Sequence, residues 1–182
     1  HNLHERFVIE SLRAGKHVFV EKPLCVNEAG LTAIVGAKER APGQIVMVGF
    51  NRRYSPLAVK LKSAMAERTG PMQVLFRVNA GFIPPESWVH DPKTGGGRII
   101  GEVCHFIDLI QFFTGALPEE VFADSIKGGG KYRTDDNVNL SIRMSDGSLG
   151  TILYCSMGSK TFSRERVEAY WDECVGVIED FR

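Results

Sequence analysis

The stretch Gly15-Lys16-His17-Val18-Phe19-Val20-Glu21-Lys22-Pro23-Leu24 decides the fold class of this chain. Residues 17–20 form a continuous apolar run, which predicts a strand buried on both faces of a parallel sheet. A second run of this kind covers residues 45–50. Helical patterns precede, separate and follow the two runs, at residues 5–14, 28–40 and 55–68. The alternation of helix and apolar strand predicts an α/β arrangement with parallel strands.

Two strands are too few for a stable parallel sheet, so residues 1–70 are predicted to be the back half of a doubly wound Rossmann sheet. Both ends of the chain are expected to be cuts through a longer protein. From residue 71 to 182 the pattern changes to alternating strands with a hairpin signal at Asp146-Gly147 and a glycine connection at residues 128–130. This half is predicted to be an α+β domain, a mainly antiparallel sheet with one packed helix.

The charge and cysteine content exclude several classes of protein. The 182 residues carry 22 basic and 22 acidic side chains, so no net charge attracts nucleic acid or an anionic membrane. No apolar run approaches the about 18 residues of a transmembrane span. The four cysteines are far apart, which predicts reduced, buried thiols in a cytoplasmic protein. They are Cys25, Cys104, Cys155 and Cys174.

A glycine triplet, Gly95-Gly96-Gly97, precedes a strongly apolar helical pattern over residues 98–113. At about 100° per residue, Arg98, Glu102 and His105 fall on one face of that helix. Burying these side chains requires partners or a wet cavity. These three polar residues on one helix face fit two interpretations equally well. They form one wall of a pocket, or Arg98 and Glu102 form an internal ion pair.

Polar residues also follow both apolar runs, Glu21-Lys22-Pro23 after the first and residues 51–54 after the second. Ligands of open parallel sheets bind beyond the carboxyl ends of the strands. A proline directly after Lys22 restrains the backbone, which gives the lysine ammonium a defined place. Solvated strand ends are also commonly charged, but three polar clusters from separate parts of the chain together favour a site.

Three of these segments, in their order and spacing, resemble the Gfo/Idh/MocA oxidoreductase family. Glu21-Lys22-Pro23 resembles the family's Glu-Lys-Pro strand end, residues 49–56 its next strand end, and residues 95–108 its glycine-triplet helix with a pocket histidine. The opening residues 1–4 resemble the turn after the family's fourth Rossmann strand. The resemblance covers the whole chain.

This resemblance implies an NAD- or NADP-dependent dehydrogenase of carbohydrate metabolism that transfers hydride to or from a sugar, sugar-nucleotide or cyclitol-like substrate. It also implies homo-oligomers formed through the C-terminal sheet, and no metal. Residues 95–108 further resemble a subgroup joined to an upstream alcohol-dehydrogenase-like domain, which favours a sugar or sugar-nucleotide. The implied catalytic residues are Lys22 and His105. The implied cofactor contacts are His4, Glu21, Lys22, Pro23 and Arg53. The implied substrate contacts are Lys22, Trp88, Arg98, Glu102 and His105.

Two departures from the family pattern leave alternatives open. Many members carry aspartate where this chain has Gly101, and whether Glu102 replaces it stays open. The Gly-x-Gly-x-x-Gly turn that holds a dinucleotide is absent, so this chain alone is expected to be inactive. A non-catalytic sugar-binding or assembly module is therefore the alternative. Glu102 and His105 also have metal-ligand spacing, but the second such pair that a di-metal site needs is missing.

Overall fold

The structure, a computed structural model, describes residues 1–127 and 130–181, so Gly128, Gly129 and Arg182 and most of the predicted glycine connection lie outside it. The described chain forms two compact units. The first contains His1–Phe50 and Pro85–Cys104, and the second contains Asn51–Pro84 and the chain from His105 onward. These divisions do not coincide with the predicted domain boundary at residue 70, which stays a prediction.

The first unit has the predicted order of helix, strand, helix and strand. It contains α1 (His4–Arg13), β1 (Val18–Val20), α2 (Glu28–Glu39) and β2 (Val46–Val48). The two strands are parallel and in register from Val18 opposite Val46 to Val20 opposite Val48. Asn27 caps α2, since its side chain accepts a hydrogen bond from the Gly30 backbone N–H at 2.8 Å. The parallel part of the predicted fold is confirmed.

The prediction that these strands are buried on both faces is wrong. The buried core lies on one face and consists of Val8, Leu12, Val20, Ile34 and Ala37. On the other face Phe19 is 65% exposed and Met47 is 40% exposed. The reason is that both helices of this unit pack on the same side, and the described residues of the unit supply no layer for the other side.

The second unit is built on a six-stranded sheet. It contains α3 (Pro56–Ala64), α4 (Cys104–Thr114) from His105 onward, and a 3₁₀ turn at Asn51–Tyr54. Its strands are β3 (Gln73–Asn79), β4 (Pro118–Ser125), β5 (Val138–Met144), β6 (Leu149–Cys155), β7 (Glu165–Trp171) and β8 (Cys174–Glu179). They are ordered β4-β5-β6-β3-β7-β8, and only the β3–β6 pair is parallel. The mainly antiparallel sheet is therefore confirmed.

Helix α4 packs on one face of this sheet, as predicted. The rings of Phe76 on β3 and Phe106 on α4 lie 5.5 Å apart between centroids. Gly150 on β6 permits a still closer approach, because a Cβ there would lie 2.6 Å from the Cδ1 of Ile110. Along β5, buried Leu140, Ile142 and Met144 alternate with exposed residues, so the other face of the sheet is open.

The end of α4 is held by two basic side chains. Lys62 donates to the Phe113 carbonyl at 2.9 Å, and burial, together with the nearby Arg68 charge, lowers the pKa of Lys62. Arg68 donates to the Thr114 carbonyl at 2.8 Å and to Asp146 at 2.9 Å. Arg68 is not part of a helix, since α3 ends at Ala64 and not at residue 68 as predicted.

All four cysteines are free thiols, as predicted, but their predicted burial is wrong. Cys174, the first residue of β8, is exposed, and Cys25, Cys104 and Cys155 are only half-buried. In the described part of the chain, no helix has both the length and the apolar character needed to cross a bilayer.

Candidate functional site

Lys22 is fixed at the carboxyl end of β1 by a main-chain carbonyl. Its Nζ donates to the Gly101 oxygen at 2.8 Å, and the Lys22–Pro23 peptide bond is cis. A lysine ammonium has three N–H donors, so two remain, without a partner among the described residues. Because the acceptor is a neutral carbonyl and not a carboxylate, the positive charge of Lys22 is not neutralised there.

The opening turn supports the same strand end. His4 donates from Nδ1 to the Pro23 carbonyl at 2.7 Å, and Pro23 is buried. Glu21 is exposed, and its carboxylate lies over the end of β2, where a Cβ on Gly49 would be 3.3 Å from Oε2. The first unit therefore brings His4, Glu21, Lys22 and Pro23 together. Their contacts with a cofactor stay a prediction.

The glycines of the triplet meet two kinds of backbone requirement. A Cβ on Gly95 would lie 2.3 Å from the Val89 carbonyl oxygen, so only glycine fits at that position. Gly96 and Gly97 have φ angles of 79° and 78°, a region that favours glycine. The triplet thus returns the chain against the 3₁₀ turn Trp88–His90 and starts the next helix.

That helix is not the continuous α-helix that the periodicity predicts. Ile99–Val103 is a π-helical turn, and α4 follows it directly. The constant step of about 100° per residue therefore fails over this segment, which no feature of the hydrophobic pattern signals. Arg98, 2% exposed, pairs with Glu102 at 3.1 Å, so the ion pair left open by the sequence is present. Short π-helical segments are frequent at functional sites.

His105 lies at the start of α4, in the second unit, and is 5% exposed. One helical turn later, Asp108 receives two hydrogen bonds from Arg53, from Nε at 2.9 Å and from Nη2. The hydrogen bond to Asp108 raises the pKa of Arg53, and the Phe112 ring lies 5.4 Å from its guanidinium carbon. The structure gives Arg53 a protein partner, and its predicted cofactor contact stays a prediction.

Sequence reasoning missed the partner of Arg52, which lies in the 3₁₀ turn Asn51–Tyr54, and the contacts of His1. Arg52 donates to both carboxylate oxygens of Glu165, at 3.0 Å and 2.6 Å. His1 bonds to the Gly95 carbonyl at 2.8 Å, and its ring meets Trp88 edge-on at 5.0 Å. Trp88 is 57% exposed. The paired histidines of the opening turn were a visible signal for His1, whereas nothing local signals the partner of Arg52.

The donor groups of the chain determine which metal ion or cofactor it can hold. No cluster of three or more His, Cys, Asp and Glu side chains suits a metal ion in the residues that the structure describes. Asp91 accepts the Lys93 backbone N–H at 2.8 Å, which lowers the pKa of Asp91. For NAD(P), the two remaining donors of Lys22 suit ribose hydroxyl or substrate oxygens, so one end of the dinucleotide has fitting residues. The pyrophosphate turn is absent from this sequence.

Two family models match successive parts of the chain and define its class of protein. Residues 1–50 match the model of an "Oxidoreductase family, NAD-binding Rossmann fold". Residues 69–174 match that of the "GFO/IDH/MocA C-terminal domain". The chain belongs to the Gfo/Idh/MocA family of NAD-binding oxidoreductases.

Similar proteins agree with this assignment. The chain is 31% identical to myo-inositol 2-dehydrogenase of Thermotoga maritima over 83% of its length and 46% of the relative. It is 31% identical to 1,5-anhydro-D-fructose reductase of Ensifer adhaerens over 80% of its length and 45% of the relative. A crystal structure of an oxidoreductase domain protein from Kribbella flavida has a TM-score of 0.82 and 25% identity, over 97% of this chain and 53% of that one. The chain spans about half the length of the curated relatives it matches.

Proposed function

We propose that the whole protein is an NAD(P)-dependent dehydrogenase that oxidises a CH–OH group of a cyclitol, sugar or sugar-nucleotide, or reduces the matching carbonyl. The observation that carries this proposal is the fixed ammonium of Lys22, which lies at a strand end and has two N–H donors to which no described residue is bonded. An inositol dehydrogenase and a sugar reductase among the relatives support the substrate class. Residues 1–182 alone are expected to be inactive, since their sequence lacks the dinucleotide turn.

In this proposal Lys22 donates a hydrogen bond to the reacting oxygen and stabilises negative charge on it. His105 accepts the hydroxyl proton, because an imidazole titrates near neutrality and suits general base work. The bound nicotinamide supplies the hydride acceptor. His4, Glu21, Pro23 and Arg53 are assigned to the cofactor side.

The substrate side is assigned to Trp88, Glu102 and Arg98, together with Lys22 and His105. The indole of Trp88 is 57% exposed and offers an open face to a sugar or cyclitol ring. Arg98 is almost fully buried, and in this proposal it positions the Glu102 carboxylate through their ion pair.

The test is a substrate screen with the whole protein. Cyclitols, sugars and sugar-nucleotides are incubated with NAD⁺ or NADP⁺, and reduced cofactor is followed by absorbance. We expect turnover with at least one polyol, and a loss of about 10²–10⁴-fold in kcat for His105→Asn with little change in cofactor affinity. Carbohydrate binding by calorimetry without any turnover would contradict this function and favour the non-catalytic module.

We also propose that the whole protein forms homo-oligomers through the open face of the six-stranded sheet. Strand register places six apolar side chains on that face, exposed by between 37% and 72%: Leu75, Phe122, Leu149, Leu153, Val175 and Val177. Exposed apolar surface of this extent is typical of an interface.

A charge placed on this face tests the oligomer. Leu153→Glu is expected to lower the sedimenting mass of the whole protein, because burying the carboxylate in an apolar interface is unfavourable. Leu117→Glu is the matched control, since Leu117 is exposed but lies outside the strands. A monomeric wild-type protein, or an unchanged mass for Leu153→Glu, would contradict the proposal.

A further inference from the structure

The imidazole of His1 is held in one tautomer. Its Nδ1 lies 2.8 Å from the Gly95 carbonyl oxygen, and a carbonyl can only accept a hydrogen bond. The proton of the neutral ring is therefore on Nδ1, and Nε2 carries the lone pair. In the described chain, no protein group donates to that Nε2. His1 thus presents an oriented hydrogen-bond acceptor.

The surroundings of the His1 ring contain the other parts of a binding site. A Cβ on Gly101 would lie 3.3 Å from the Cε1 of His1, so the ring lies against the space that a side chain at position 101 would take. The carbonyl of this same Gly101 accepts the hydrogen bond from Lys22 at 2.8 Å. The ring also meets the exposed indole of Trp88 edge-on at 5.0 Å.

The chemistry of this cluster is complementary to a polyol. Each hydroxyl of a cyclitol or sugar can donate one hydrogen bond and accept others. Lys22 and the indole N–H of Trp88 can only donate, so these two residues leave the hydroxyl protons of a ligand without an acceptor. The ring of His1, which lies against Trp88 and the Cβ position of Gly101, offers an acceptor in its Nε2.

We propose that His1 is a substrate-binding residue, whose Nε2 accepts a hydrogen bond from a hydroxyl of the polyol substrate. This assignment rests on the proposed dehydrogenase function. It gives the substrate an acceptor at His1 and a donor at Lys22, with Gly101 in contact with both residues. Glycine at position 101 leaves room for the imidazole, since a Cβ there would be in tight contact with Cε1.

The experiment uses two replacements that divide the functions of the ring in the whole protein. His1→Asn places an amide N–H near the position of Nδ1 and keeps a donor for Gly95, but it removes Nε2. His1→Gln places its amide near the position of Nε2 and keeps an acceptor there. We expect His1→Asn to raise the KM for the polyol by about three- to tenfold, the effect of one hydrogen bond. His1→Gln should stay within about twofold of the wild type.

The kinetic pattern distinguishes binding from catalysis. A hydrogen bond of equal strength in the ground state and the transition state changes KM and leaves kcat unchanged. The kcat and the KM for the nicotinamide cofactor are therefore expected to stay within about twofold. His17→Asn is the matched control, an exposed histidine of the same unit that caps the Ile45 backbone N–H.

Gly101→Ala provides a second, independent variant. Its Cβ would press against the His1 ring, so the KM for the polyol should rise in the wild-type background. Where His1 is already asparagine, the same change should add little. Additive effects of the two replacements would count against the proposal, because the sites would then act separately.

The opposite order of the KM values of the two His1 variants would overturn the proposal. If His1→Asn behaves like the wild type while His1→Gln is impaired, the ring serves only to hold the Gly95 carbonyl. If both variants behave like the wild type, His1 does not contact the substrate. Should the wild type bind polyols without turning them over, the dehydrogenase function fails, and a weaker calorimetric affinity in His1→Asn still supports the contact. No polyol binding by the wild type would overturn both proposals.

Discussion

Lys22 and the opening histidines of the first unit have a different kind of partner from several arginines of the second unit. In the first unit, Lys22 and the histidines of the opening turn bond to main-chain carbonyls. In the second unit, arginines pair with carboxylates: Arg52 with Glu165, Arg53 with Asp108, Arg68 with Asp146 and Arg77 with Glu179. Arg98 with Glu102 is a buried pair of the first unit that follows the second pattern.

This difference separates groups that can act on a ligand from groups that hold the fold. A carbonyl fixes an ammonium without neutralising it, so the charge and two donors of Lys22 remain for a ligand. A guanidinium bound through two hydrogen bonds to a carboxylate keeps N–H donors, but its charge is balanced by that carboxylate and its position is fixed by it. Lys22 and the histidines of the opening turn are therefore the stronger candidates for chemistry. The ion pairs are the stronger candidates for stability, together with Lys62 and Arg68, whose carbonyl partners lie at the end of α4.

Replacing Lys22 is expected to give the largest effect. Lys22→Met in the whole protein should lower kcat by about 10²–10⁴-fold, because the developing charge on the reacting oxygen loses its donor. Cofactor affinity, measured by fluorescence titration, should change far less. Lys16→Met serves as the control, since Lys16 is exposed in the same unit. Turnover of Lys22→Met at the wild-type rate would contradict the contrast between the two units.

Breaking the pair of Arg53 and Asp108 should affect stability. Asp108→Asn is expected to lower the free energy of unfolding by about 2–3 kcal/mol, because it leaves a half-buried guanidinium without its charge partner. Urea denaturation measures this loss. The exposed pair of Glu120 and Arg143 gives the control, and Glu120→Gln should cost less than about 0.5 kcal/mol.

A double replacement tests whether the cost comes from the unpaired charge. Arg53→Met with Asp108→Leu should lose less stability than the sum of the two single changes, since no charge is then left without a partner. Equal losses from the buried pair and the exposed pair would show that Asp108 does not stabilise the second unit.

The smallest expected effect is the contribution of Asp146 to the loss of folding stability at acid pH. Burial raises the pKa of Asp146, but hydrogen bonds from Arg68 and Ser148 outweigh it, so the pKa is lowered overall. Because the pKa of Asp146 is lower in the folded state, its ionisation stabilises the folded protein at pH values above the unfolded-state pKa of about 3.9. This stabilisation is lost as the pH falls through the folded-state pKa. Asp146→Asn should therefore reduce the loss of stability between pH 5 and pH 3, by about 0.5–1 kcal/mol.

Urea denaturation at several pH values in this range measures that effect. Since Asp146 is 30% exposed, solvent screening keeps it small. If the free energy of unfolding has the same pH dependence in the wild type and the variant, the hydrogen bonds of Asp146 in the folded state do not affect its protonation.

Most secondary structure could be predicted because its signals are local. The cap of Asn27 at the start of α2, and the turn at Asp146-Gly147 where Gly147 has a φ of 83°, each follow from residues within one turn. The exposed face of β1 could not be predicted, because burial depends on which layers pack against a strand. Phe19 has the same apolar signal as Val20, but only Val20 lies on the side of the helices.

The candidate site was also only partly visible in the sequence. Lys22 could be singled out because a polar residue followed by proline at a strand end is a local pattern. The acceptor for its ammonium, Gly101, is far away in the sequence and has no side chain to signal the contact. The π-helical turn Ile99–Val103 was likewise hidden, because its residues are equally compatible with an α-helix.

By itself, the sequence determined the order of helices and strands, the family and the residues at the strand ends, since short-range periodicity and capping depend on neighbours along the chain. Tertiary structure decided which partners those residues have: a carbonyl for Lys22, a carboxylate for Arg53 and the room beside Gly101 for His1. The physical reason is that a hydrogen bond or ion pair requires two groups within about 3 Å, a distance that only the folded backbone sets.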